Sequence, residues 1–103
     1  MSRARAVDQN AVTELDLYTE NTGELYPQFK AILAKFKEKV RAGTLQTSTA
    51  WRMWMPWYEA GARRYAREID AGEARSFTHA VKKKAAGERA AYEYGRVMRG
   101  EWD

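Results

Sequence analysis

The chain has 103 residues, 45% of them hydrophobic and 13% aromatic, which is material for one folded domain and too little for two. Eighteen Lys and Arg stand against 14 Asp and Glu, a net charge of +4, and cysteine is absent. These figures exclude a disulfide scaffold, a thiolate nucleophile and Cys-ligated zinc or iron-sulfur sites, and they argue against a disordered or fibrous chain.

Residues 1–9 read as an N-terminal arm ahead of a single helical domain. Arg3 and Arg5 are followed by no apolar run of signal-peptide or membrane length, so a cytoplasmic protein is expected. Charge is uneven along the front of the chain. It amounts to -2 over residues 1–22 and +4 over residues 27–45.

Alternating strand patterns are missing, whereas helical spacings recur, so the expected fold is all-α: a compact bundle of three or four helices. Leu15, Tyr18, Thr22, Leu25, Phe29, Ile32, Phe36 and Val40 step by three or four residues along one continuous face. The stripe crosses Gly23 and Pro27, where a proline ring would press on the carbonyl four residues earlier. Because the register survives, one long helix kinked there is favoured, with a helical pair broken at "NTG" as the alternative. Leu25, Phe29, Ile32, Leu33, Phe36 and Val40 are expected in the core. Gly43 closes the segment as a C-cap.

Thr47 or Ser48 is the expected N-cap of the next helix, which should run to about Asp70. Here "WRMWMPWYEAGARRY" places Trp51, Trp54 and Trp57 within seven residues. At about 100° per residue, Trp51, Trp54, Met55, Tyr58, Ala62, Tyr65 and Ile69 share one face. That face reads as core. Met53 and Trp57 fall near ~200° and ~240°, beside Arg64. They either fill a second packing contact or form an exposed aromatic anchor of the kind that centres protein interfaces. The last helix is expected from a Ser76 cap to about Arg99. Its apolar face is poor: Phe77, Ala80 and Val81 begin it, Lys84 and Glu88 interrupt it, and Ala91, Tyr94 and Met98 resume it rotated.

His79 is the only histidine, which rules out a His-paired zinc site, and no phosphate-binding, nucleophile-elbow, HExxH or dinucleotide fingerprint is present. No cofactor, no metal and no enzymatic activity are expected. Two partner classes fit the residues. The favoured one is a protein, contacted by Trp57, Met53 and Arg64 with help from Arg67; a homodimer would use the same patch. The other is nucleic acid, held without sequence preference by Lys30, Lys37, Arg41, Arg63, Lys82, Lys83 and Lys84.

The segments "LYTENTGELYPQFKAILAKFKEKVRAGT", "AWRMWMPWYEAGARRYAREI" and "SFTHAVKKKAAGERAAYEY" together resemble small helical proteins carried by bacterial phages, plasmids and integrated elements, whose pattern is LYxENxGxLY, a basic helix ending in KGTYD, then LW and later AxxY. The likeness covers most of residues 15–95, with "GTLQ" in place of GTYD and Met53-Trp54 in place of Leu-Trp. It implies no catalytic residue. It implies mobile-element ancestry and stoichiometric binding to host or phage machinery, inhibition of a host defence complex being one form.

Overall fold

The break between the first two helices sets the architecture. In the computed structural model, which describes residues 7–102, α1 spans Gln9–Asn21 and ends at Thr22, whose backbone is extended. A 3-10 turn over Gly23–Leu25 follows, and α2 begins at Tyr26 with Pro27 in its first turn, where a missing N–H costs nothing. The favoured kinked helix is therefore corrected to a helical pair. The heptad-like register across the break described two helices with aligned apolar faces, and periodicity alone cannot distinguish these from one.

Asp8 caps α1, its carboxylate accepting from the N–H groups of Asn10 (3.0 Å) and Ala11 (3.3 Å). Val7 is half-buried and packs on the core. The expected arm is thus corrected over residues 7–9, which belong to the fold; its residues 1–6, Arg3 and Arg5 included, lie outside the described residues. Helix α2, Tyr26–Ala42, buries Phe29, Leu33, Phe36 and Val40 and terminates on Gly43 in the left-handed conformation (φ 71°).

A 3-10 turn over Thr47–Thr49 leads into α3, Trp51–Glu68, which has no side-chain cap; neither Thr47 nor Ser48 serves as one. The helix stops at Glu68 and Ile69 is exposed, so Ile69 leaves the expected inner face. Another 3-10 turn, Glu73–Ser76, turns Phe77 into the core. The cap of α4, His79–Met98, is then Thr78, whose hydroxyl accepts from Val81 N–H at 3.2 Å. Ser76 instead donates to the Glu73 carbonyl.

Four α-helices joined by 3-10 turns make an all-α bundle, with no strand among the described residues. Helices α3 and α4 make the most extensive contact, α1 lies against both, and α2 packs on both from its side of the break. The bundle is flattened, 41 × 41 × 17 Å, about two helix layers thick. In so thin a body a helix has difficulty hiding all its sides.

Helices α1 and α3 approach closely at Gly61. A methyl group there would sit 2.1 Å from the Thr19 hydroxyl oxygen and 3.0 Å from its Cβ, and Thr19 is fully buried and bonded to the Leu15 carbonyl. Alanine improves helix propensity by about 1 kcal/mol, yet overpacking costs about 1–3 kcal/mol. Gly61→Ala is expected to lower stability by up to about 2 kcal/mol in urea unfolding, and to cost less in a Thr19→Ala background, where the clashing oxygen is gone.

Candidate functional site

Trp57 is the first of the expected contact residues to be placed, and it is inside. Its side chain lies among Phe29, Trp54 and Tyr58, with ring centroids 5.0–6.2 Å away, and only 2% of the residue is exposed. Its indole N–H donates to the Leu25 carbonyl at 3.0 Å. The exposed-anchor reading is corrected for this reason. The turn at Gly23–Leu25 brings α2 over the second face of α3, so both faces of that helix are packed.

The residues grouped with Trp57 do not form a patch either. Met53 is half-buried against the core. Arg64 is held by Glu24 at 3.2 Å and by Glu68 at 3.0 Å, linking α3 to the turn that Trp57 braces. Arg67 is exposed near the end of α3. Reading the helix by angle separated these residues from the aromatic face correctly, but could not show that α2 covers them.

The buried side of α4 holds what sequence reasoning missed. Its inward residues are Val81, Ala85, Ala86, Arg89, Ala90, Glu93 and Val97, so a charged pair four residues apart sits in an alanine-lined face. Arg89 is 7% exposed and Glu93 is fully buried. The guanidinium donates through Nε to the Tyr58 hydroxyl at 3.2 Å, to Glu93 at 3.0 Å and to Asp16 at 3.0 Å, with Glu20 3.4 Å away. Tyr58 donates to the same Asp16 oxygen. The other Glu93 oxygen accepts from the Trp102 indole at 2.8 Å. One cluster thereby joins α1, α3, α4 and the C-terminal segment.

Burial, together with the negative charge of Asp16, raises the Tyr58 hydroxyl far above its ordinary value of 10.0. Burial works against the charged guanidinium of Arg89, but Tyr58 and Asp16 more than offset it and hold its proton more tightly than usual. Every guanidinium nitrogen has an acceptor. The cluster's chemistry is that of a fixed structural ion network, and the polar hollow of about 270 Å³ above it is lined by Asp16, Glu20, Glu88, Arg89 and Tyr92.

A second stripe lies on the outward side of α4. Ala80, Gly87, Ala91, Tyr94 and Met98 follow helical spacing, and all but the half-buried Gly87 are exposed, Met98 at 62%. Ala80 is the residue expected to begin the inner face, and Ala91, Tyr94 and Met98 are those expected to resume it; the correction follows from the Arg89–Glu93 pair occupying that face instead. Trp51, half-buried on α3, forms the opposite wall. Between them runs an apolar groove made of two adjoining hollows. One, of about 240 Å³, is bounded by Leu45, Ala50 and Tyr94; the other, of about 540 Å³, by Val7, Ala80 and Lys84. Trp51, Gly87 and Ala91 line both.

The basic residues considered for nucleic acid are spread over three helices. Lys30 lies over the Tyr26 ring, and Lys37 donates to the Trp102 carbonyl at 3.3 Å, beside the C-terminal end of α4. Arg41 and Arg63 are exposed on α2 and α3. Lys82, Lys83 and Lys84 occupy the first two turns of α4, about 20 Å along the helix from its far end. Lys82 is half-buried, Lys83 lies over the Trp51 ring at 4.7 Å, and Lys84 borders the groove. The described residues contain no group of three or more His, Cys, Asp or Glu able to hold a metal ion.

Two outcomes test these assignments. Trp57→Ala should cost about 3–5 kcal/mol in denaturant unfolding, as expected of a core tryptophan. Arg89→Met should cost a similar ~3–5 kcal/mol by stranding Glu93, and adding Glu93→Leu should recover about half or more of that loss, because the pair rather than either charge is what the site accommodates. No known protein family, no curated protein and no solved structure matches this chain, so the functional reading rests on its residues and their geometry.

Proposed function

We propose that this chain is a non-catalytic binding protein of the mobile-element type, which acts in the cytoplasm by seating a helix of another protein in the groove between Trp51 and the outer stripe of α4. The observation that carries this reading is the two-sided apolar character of α4. The helix already buries one face in its own bundle, and among the described residues Ala80, Ala91, Tyr94 and Met98 on its other face are left exposed.

The composition of the stripe suits a helix. Gly87 and the alanines at 80 and 91 let a second backbone approach, Trp51 and Tyr94 supply broad contact area, and the exposed Met98 extends the stripe beyond the groove. From Ala80 to Met98 the stripe is about 27 Å long, or five turns. Mobile-element ancestry rests on the resemblance of residues 15–95, and modulation of host machinery, defence complexes included, is the role it suggests. Nucleic-acid binding is the weaker alternative, since the lysines and arginines it would use are divided between distant ends of the bundle.

A photo-crosslinking side chain placed at Tyr94 should give a discrete adduct with one protein in bacterial cells that carry the chain. The same group at Leu17, exposed on α1, should not. Gly87→Gln combined with Ala91→Gln fills the groove floor with polar bulk and should abolish the Tyr94 adduct while leaving the helical circular dichroism unchanged. Equal crosslinking from both positions, or none from Tyr94, overturns the proposal.

A further inference from the structure

We infer that the helix seated in this groove is acidic along its flanks: the partner is an amphipathic helix with an apolar stripe and carboxylates beside it. The inference rests on the groove being the docking surface and concerns the charge of what it takes.

Three cations border the groove. Lys84 and Lys83 line its larger, more open part, and Arg52 lies over the Trp51 ring at 5.4 Å, with the Lys83 ammonium also over that ring. Among the described residues none of the three is within ion-pair distance of a carboxylate, although ion pairs hold Arg64, Arg89, Arg96 and Arg99 elsewhere. Among the described residues Glu88 is the one carboxylate lining the groove, and Gln9 donates to it at 3.5 Å.

The position of the lysines strengthens the argument. They sit at the N-terminal end of α4, whose first turn has no acidic residue. The positive end of a helix macrodipole disfavours cations near it, and within the described fold Lys83 has the Trp51 ring beside it but neither lysine has a carboxylate at ion-pair distance. An acidic flank laid alongside would satisfy the dipole and the ammonium groups together. A second copy of the chain would bring the same cationic rim to the contact, with only Glu88 to answer it. A nucleic-acid backbone would meet the lysines but would cover a floor of methyl groups and rings with phosphate, leaving the apolar surface unused.

The test uses the full chain and three synthetic 18-residue helical peptides that share one apolar stripe and differ in flanking residues: Glu, Gln or Lys. Fluorescence anisotropy of the labelled peptides should show the Glu peptide binding about tenfold or more tightly than the Gln peptide, with the difference shrinking as salt is raised. Lys83→Glu with Lys84→Glu should reverse the order in favour of the Lys peptide. Gly87→Gln with Ala91→Gln should weaken all three. If the three peptides bind equally and remain sensitive to the groove substitutions, the docking surface stands and the acidic partner is wrong. If none binds, or binding ignores those substitutions, the groove itself is not the docking surface. Concentration-dependent dimerisation lost on filling the groove, or a DNA duplex that binds through Lys83 and Lys84 and displaces the Glu peptide, also overturns the acidic-helix partner.

Discussion

The guanidinium of Arg89 is the interaction on which the arrangement of helices depends. It is buried on the inner face of α4, and its hydrogen bonds run to α1 through Asp16, to α3 through Tyr58 and along its own helix to Glu93. A charge placed there must be answered from all sides, because the desolvation cost is recovered only if each donor has an acceptor. The three helices therefore have few registers in which they can meet. Glu93 extends the same constraint to the C-terminus through the Trp102 indole, and Trp102 in turn lies under Arg96, whose guanidinium carbon is 4.0 Å from the ring centroid.

A second constraint acts around Trp57. Its ring fills the contact between α2 and α3, and its N–H holds the carbonyl of Leu25 in the turn that separates α1 from α2. Arg64, about two turns further along α3, reaches Glu24 in that same turn of the chain. A helix with aromatic residues on two sides thus becomes the centre of the bundle, and the chain reverses where Trp57 and Arg64 can grip it. The close approach at Gly61 and Thr19 completes the packing of α1 on α3.

These two constraints together determine what is left outside. With Arg89 and Glu93 committed to the interior, Ala80, Gly87, Ala91 and Tyr94 turn outward, where Trp51 meets them across a groove. The groove is a consequence of which face of α4 carries the ion pair. Its two walls come from different helices, Trp51 from α3 and the small residues from α4, so it exists only once α3 and α4 have paired.

Much of this protein was legible before any folding was considered. The absence of alternation, the helical spacing from Leu15 to Val40, the Gly43 terminus and the aromatic face of α3 all follow from local geometry, in which each residue's direction is set by its neighbours in the chain. Three features were not. The register across Gly23 and Pro27 is the same for one kinked helix and for two, and the break is held by distant groups, Trp57 on Leu25 and Arg64 on Glu24. The second face of α3 looks like a surface until α2 is laid over it. The inner face of α4 was misassigned because hydrophobicity ranks Ala91, Tyr94 and Met98 above Arg89 and Glu93, whereas burial follows the partners available, and Asp16, Tyr58 and Trp102 are 9–73 residues away from these two in the chain. The sequence by itself determined the helices and most of their apolar faces; the tertiary structure decided which of two competing faces went inside, because a buried charge is tolerable only where distant residues converge to pair with it.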